Sequence, residues 1–270
     1  MNKLNEKIGI GISTCNRPLQ LNKLILSLAS AHSFIDSVVV VNDGNPIDNS
    51  ILSIEHYIKN NTNLGVAKTK NKALHFLLKN NCDHIFLIED DIFVKDVDVF
   101  NHYISASKNT GIQHFNFSQH GLCNKFVNTD TPNPRIIFDY GSVKIPFFAA
   151  CVGAFSYYSK QCLEKTGLMD ESFYNACEHV EHTHRIHLNN MHPPYWWYPD
   201  IENSQNYIGD EPWSLSQSLI SSRNDKEQIW AVTDNKFKSL YGHIPRQMPD
   251  TSYDTVVKQL KQIKKLYGQN

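Results

Sequence analysis

The chain has 270 residues, 41% of them hydrophobic, which is enough apolar surface to close one sizeable core. A formal net charge of −1 leaves no general positive field and argues against nucleic-acid binding. No apolar run approaches the roughly 20 residues that span a bilayer, and the start, MNKLNEKIGIGIS, lacks the apolar core of a signal peptide.

In chain order, KIGIGISTC (7–15) alternates and is rich in Ile, which predicts a strand. NRPLQLNKLILSLASA (16–31) repeats leucines at helical spacing, with Pro18 where a first turn tolerates it. SVVVVNDG (37–44) reads as a second buried strand, and PIDNSILSIEHYIKN (46–60) as a helix. NLGVAKTKNKALHFLLKNN (63–81) is a helix opened by a Gly-containing turn, and HIFLI (84–88) is a third strand that stops at Glu89, Asp90 and Asp91. The alternation of strands and helices predicts an α/β fold with a mostly parallel central sheet flanked by helices. After residue 110 come short apolar runs at 112–117, 135–140 and 145–155, then a short helix at 159–167 ended by Gly167. DESFYNACEHVEHTHRIHLNN (170–190) ends in a helix, and HPPYWWYPD (192–200) is an aromatic loop. YDTVVKQLKQIKKLYGQN at the C-terminus is a basic amphipathic helix. It either packs its Val/Leu/Ile stripe on the domain or lies on an anionic membrane surface. The six cysteines form no CxxC pair and read as reduced, mostly structural thiols of a cytoplasmic protein.

Each of the first three strands ends in a polar cluster: Thr14-Cys15-Asn16-Arg17, Asn42-Asp43-Gly44 and Glu89-Asp90-Asp91. Parallel sheets gather ligands outside the carboxyl ends of their strands, so the three clusters are expected on one edge. Adjacent carboxylates at a buried strand end repel one another unless a cation offsets them, and a hard divalent cation is the simplest candidate. The bland alternatives are a solvated acidic loop, Arg17 as a surface residue at a helix start, Asp43 as a turn former and Lys70 as a solvated helix residue.

These segments, in this order, resemble the nucleotide-sugar half of GT-A glycosyltransferases, closest in style to glycosyltransferase family 2. The resemblance rests on STCNRP, on VVVVNDG, on NLGVAKTKNKAL and on Glu89-Asp90-Asp91 in the place of an Asp-x-Asp motif. It implies that Thr14, Asn16 and Arg17 line the uridine side and that Asp43 accepts from the uracil N–H. It further implies Asn63, Gly65 and Lys70 near the ribose or diphosphate of a UDP-sugar, and Mn²⁺ or Mg²⁺ on Asp91. Glu89 departs from the pattern; it faces the ribose or reaches the ion through water, with Asp90 beside it.

The stretch VGAFSYYSKQCLEKTGLMDESFYNACEHVEHTHRI (152–186) resembles the acceptor-side signature of the same enzymes, in which GLMDESF precedes an acidic pair. The pair here is Glu178-His179, followed by Glu181. Glu178 is the expected general base, then Glu181, then His179, for an inverting single displacement. His243, in KSLYGHIPR, is the expected further metal ligand by resemblance, and Lys238 or Arg246 a diphosphate contact. Trp196 or Trp197 offers a face for stacking an acceptor sugar. The run His179, His182, His184, His187 and His192 contains neither HEXXH nor HXXEH, so a catalytic zinc site is not expected.

The expected organisation is a donor half at 1–110, an acceptor half at 111–245 and a terminal helix at 246–270. By resemblance the acceptor is a glycan or lipid-linked glycan of bacterial surface polysaccharide or lipo-oligosaccharide synthesis, and any membrane contact is peripheral, on the inner face. Two rivals stand: a sugar-nucleotide nucleotidyltransferase, although STCNRPLQ lacks that chemistry's Gly-rich loop, and an inactive glycosyltransferase-like binding domain.

Overall fold

The computed structural model describes residues 6–47, 55–211 and 223–269. Strand β1 (Ile8–Thr14) leads into helix α1 (Pro18–Ser27), then β2 (Ser37–Asn42), β3 (His56–Lys59), α2 (Val66–Lys79) and β4 (His84–Glu89). A short β5 (Ile92–Val94), α3 (Val99–Thr110) and β6 (His114–Asn116) follow. The second half holds β7 (Ile136–Asp139), β8 (Lys144–Phe148), β9 (Phe155–Ser159), α4 (Lys160–Thr166) and α5 (Glu178–Leu188). The chain closes with β10 (Tyr198–Pro199), β11 (Ile208–Asp210), α6 (Lys226–Tyr241) and α7 (Tyr253–Tyr267).

The central sheet has six strands in the order β3-β2-β1-β4-β9-β6. β3, β2, β1 and β4 are parallel, and β9 runs antiparallel to both β4 and β6. β6 therefore points the same way as β4, while β9 starts at the edge where those strands end. The innermost strands are apolar through their middles because both faces are covered. One core runs from Ile8 and Phe86 through Phe155 to Val256, Leu260 and Ile263, so all three parts of the chain share it.

Several elements differ from the sequence reading. Over 46–60 the helix is replaced, where the chain is described, by edge strand β3; residues 48–54 lie outside the described residues. His56 to Lys59 are all half-buried, as a sheet edge requires, and pairing with β2 overrides the local helical spacing. Helices α3 and α6 had no counterpart among the predicted elements. The terminal helix α7 turns its stripe inward onto α3 and leaves Lys258, Lys261, Lys264 and Lys265 exposed. The apolar stripe is therefore spent on the core and is not open to a bilayer.

Most of the histidine run is interior. His182 Nε2 donates to the Gly167 carbonyl at 2.9 Å, and His187 Nδ1 meets the His192 carbonyl at 3.2 Å. His114 bridges the Tyr157 carbonyl and Thr183 and lies flat on Tyr158 at 4.3 Å. Burial pushes His114 and His182 down to about 3 and His184 to about 4, and holds His192 well below the ordinary range. Burial acts the other way on Asp90 and Asp200, raising them to about 7 and about 6.

Unfolding in mild acid thus releases these four imidazoles, which take up protons below their usual pKa of about 6.5. The two carboxyls already hold protons in the fold and work in the opposite direction. Net proton uptake on unfolding means that stability is greatest near neutrality and falls as pH drops from about 6.5 towards 4. The urea midpoint should be clearly lower at pH 4.5 than at pH 7; equal midpoints would contradict this assignment of the buried histidines.

Candidate active site

The carboxyl ends of β1, β2 and β4 open into one cleft of about 280 Å³. Thr14, Asn16 and Arg17 come from the end of β1, Asp43 from β2, and Glu89, Asp90 and Asp91 from β4. Asn63, Val66, Thr69, Asn175 and Arg223 complete the wall. The three polar clusters thus meet on one edge, as the parallel arrangement demands.

The floor is knitted by charge. Asp90 accepts from Thr14 Oγ1 at 2.6 Å and from Arg17 Nη1 at 3.2 Å. The same guanidinium nitrogen reaches Asp91 Oδ2 at 3.3 Å. Asp43 is buried and organises the loop before α2: its carboxylate accepts from Asn60 Nδ2 at 2.7 Å and from the backbone N–H groups of Leu64 and Gly65 at 2.8 Å each. Asn63 donates to the Asp43 carbonyl at 3.2 Å. Gly65 has φ of 86° and stands where a Cβ would lie 2.7 Å from the Tyr174 ring, so only glycine lets this loop meet the segment before α5.

Lys70 ties the two halves together. It is buried, with Nζ 2.5 Å from Glu89 Oε1, 3.5 Å from Glu178 Oε1 and 3.2 Å from the Gly153 carbonyl. Burial disfavours its charge, but Glu89 and Glu178 outweigh that and raise it to about 12. Glu178 begins α5, where a carboxylate suits the helix dipole. Burial pushes Glu178 up, yet His179 and Lys70 pull it down to about 2. His179 Nδ1 lies 3.1 Å from Glu178 Oε1.

A second group reaches the acids from β6. His120 stands 3.6 Å from Asp91 Oδ2 through Nε2, and its Nδ1 is held by Asp210 Oδ1 at 2.8 Å. Pairing of β11 with β5 sets Asp210 opposite Ile92, next to Asp91. Asp91 Oδ1 is buried without a hydrogen-bond partner among the described residues. Burial and the Glu89 charge raise Asp91, with His120 and Arg17 only partly offsetting them. An orphaned carboxylate oxygen beside further acids fits a hard divalent cation, and Asp91 with His120 would hold it. The carboxylate–histidine pair Asp210–His120 is the arrangement that fixes an imidazole for metal binding.

No family model matches the chain. An uncharacterized glycosyltransferase, R363, of Acanthamoeba polyphaga mimivirus is 25% identical over 227 residues, covering 79% of this chain and 85% of that one. S. aureus TarS superposes on 97% of this chain with a TM-score of 0.55 at 13% identity. GalNAc-T7, solved with UDP, GalNAc and Mn²⁺, covers the same 97% with a TM-score of 0.55 at 11% identity. This is the GT-A fold of glycosyltransferases. The chain spans 44% of the length of TarS and 54% of that of GalNAc-T7.

Within the GT-A fold several expected site residues stand elsewhere. Gly65 shapes the loop, and Lys70 lies behind Glu89, paired with both acids. Glu181 is buried and saturated: Arg185 Nε and Nη2 grip its two oxygens at 2.7 and 3.0 Å, and the Tyr241 hydroxyl donates at 2.7 Å. It braces α5 and is not placed to act as a base. His243 follows Gly242, whose left-handed φ of 81° ends α6, and it is exposed. His243 does not line the cleft that holds Asp91. Trp196 Nε1 donates to the Met248 carbonyl at 2.7 Å. Trp197 is buried, bonded to Asp250 and Thr251, with the Arg135 guanidinium 4.1 Å over its ring. Both indoles pin the segment before α7, and neither lines the cleft. Arg246 is engaged by Asp234 at 2.6 Å, and neither it nor Lys238 lines the cleft.

His120, Asn175, Arg223 and Asp210 were not singled out from sequence. For His120 a signal existed: the run at 114–117 ends in Ser118-Gln119-His120-Gly121, the same apolar-to-polar break that marks the other strand ends. Asn175 Oδ1 accepts from Val66 N at 3.1 Å, a contact between segments that local pattern does not reveal.

Replacing Lys70 by Met removes the ammonium that meets Glu178 and strands that carboxylate in the interior. Lys70→Met should cost about 3–5 kcal/mol in urea unfolding. A loss below about 1 kcal/mol, typical of an exposed pair, would show that the bridge is not a buried one.

Proposed function

We propose that this glycosyltransferase moves a sugar from a UDP-sugar to a hydroxyl of a glycan or lipid-linked glycan, with inversion and with Mn²⁺ or Mg²⁺. The observation that carries the reading is the cleft in which three strand ends deliver Asp43, Arg17 and the acidic triplet to one place. GalNAc-T7, a structural neighbour, was solved with UDP and Mn²⁺, in keeping with this donor and metal.

In this reading the uracil occupies the side of the cleft bounded by Asn16, Asp43 and Asn63, and Thr14 fixes Asp90 beneath the ribose. Glu89 faces the ribose hydroxyls while Lys70 holds it from behind. Arg17 and Arg223 add positive charge to the wall that the diphosphate meets. Asp91 and His120 would hold a divalent ion, which would supply Lewis-acid stabilisation to the departing diphosphate. The acceptor oxygen attacks the anomeric carbon from the face opposite the diphosphate, which inverts the configuration.

We place the activity in surface polysaccharide or lipo-oligosaccharide synthesis at the cytoplasmic side of a membrane. No helix among the described residues is long and apolar enough to cross one. Peripheral contact would fall to the exposed lysines of α7, since its stripe is buried.

Incubation with a panel of UDP-sugars and Mn²⁺ should release UDP, and EDTA should stop the release. Diphosphate release from a nucleoside triphosphate and a sugar phosphate, with no reaction of any UDP-sugar, would sink the reading in favour of a nucleotidyltransferase. Tight UDP binding without turnover on any acceptor would favour an inactive binding domain. Asp91→Asn should abolish Mn²⁺-dependent UDP binding. Asp210→Asn, which frees the His120 imidazole, should weaken Mn²⁺ affinity by about 10–100-fold in titration calorimetry; unchanged affinity would remove His120 from the metal site.

A further inference from the structure

The acceptor side offers two candidates for the proton-accepting group, and the geometry separates them. Glu178 is 3% exposed and its Oε1 faces both the Lys70 ammonium, at 3.5 Å, and His179 Nδ1, at 3.1 Å. Burial pushes its carboxyl up, but His179 and Lys70 outweigh that and hold it down at about 2, and a carboxylate held that low is a feeble proton acceptor. An acceptor hydroxyl could reach it only by displacing the Lys70 ammonium or the His179 N–H.

The His179 side chain is the more accessible of the pair, 23% exposed against 5% for Glu178. Its Nδ1 is turned inward to a carboxylate, which can only accept, so Nδ1 carries the hydrogen and donates it. The lone pair is left on the far nitrogen, Nε2. This is how a carboxylate fixes an imidazole tautomer in hydrolase triads. Gly153 makes room for the arrangement. A Cβ there would lie 2.9 Å from the His179 ring and 3.2 Å from Lys70 Nζ. Because β9 runs antiparallel to β4, the segment just before it arrives at the same edge as the donor cleft. His179 is therefore linked through Glu178 and Lys70 to Glu89, which is part of the cleft wall.

We propose that His179 is the general base of the transfer and that Glu178, itself anchored by Lys70, is the positioning residue that holds its tautomer. The proposal rests on the transferase reading given above. In the step, Nε2 takes the proton of the acceptor hydroxyl as the acceptor oxygen bonds to the anomeric carbon. The bond from that carbon to the diphosphate oxygen breaks, and its electron pair leaves with the UDP. The imidazolium formed is stabilised by the Glu178 carboxylate and returns its proton to water.

The test compares His179→Ala, His179→Gln and Glu178→Gln with wild type, whose turnover of a UDP-sugar is the control for the transferase reading itself. UDP affinity is measured on every variant. His179→Ala should lower kcat by about 10²–10⁴-fold, with UDP affinity and donor KM little changed. Added imidazole should restore part of the lost turnover, because it can occupy the space of the missing ring. Glu178→Gln should lower kcat less, and imidazole should not rescue it. Should His179→Ala lose UDP binding through misfolding, His179→Gln keeps the bulk of the side chain and must show the same loss of kcat. Near wild-type turnover in a folded His179 variant would overturn the proposal. So would a deeper loss in Glu178→Gln than in His179→Ala, or no imidazole rescue of a His179→Ala protein that binds UDP normally; each would return the role to Glu178. A wild-type protein without turnover would instead count against the transferase reading.

Discussion

Three carboxylates on consecutive residues, drawn out of water at the end of a buried strand, need positive charge within reach. Much of the site can be understood as the supply of that charge. Arg17, from the turn after β1, lies between Asp90 and Asp91. Lys70, from α2, lies against Glu89. His120, after β6, approaches Asp91. Each cation arrives from a different element, so the acids hold three parts of the chain in register at the sheet edge. The remaining deficit, marked by the orphaned Asp91 oxygen, is what a divalent ion would fill.

The parallel sheet explains which parts of this were legible. Apolar runs that break into polar clusters identify strand ends, and the direction rule for parallel strands collects those ends. Thr14, Asn16, Arg17, Asp43 and the acidic triplet were accessible in this way. The second half resisted, because there direction reverses: β9 is antiparallel, and its start, not its end, faces the cleft. The chemistry of Gly153 is invisible in sequence, since it depends on which side chains come within 3 Å of an absent Cβ. Edge strand β3 was misread because the residues around it repeat apolar side chains at helical spacing, while its conformation is decided by a long-range partner, β2.

The cluster of histidines illustrates how residue type misleads without position. Metal binding and catalysis are the roles that a run of imidazoles brings to mind. In this fold His182, His184 and His192 are buried among tyrosines and one another, and only His179 and His187 are half-buried, with His179 at the first turn of α5 beside Glu178. The same helix separates two glutamates by one turn and gives them opposite fates. Glu181 is locked to Arg185 and Tyr241, and Glu178 is shared between Lys70 and His179.

Helix α7 contributes Val256, Leu260 and Ile263 to the core that also contains Ile8, Phe86 and Phe100. It lies on α3, more than a hundred residues earlier in the chain. During synthesis the first half therefore emerges with one flank of its hydrophobic interior uncovered, and that flank stays open until α7 is made. Such long-range closure slows folding and leaves a sticky intermediate for as long as translation takes. Cellular yield would then be governed by how that interval is protected, a constraint imposed by a helix far along the chain from the cleft's strand ends.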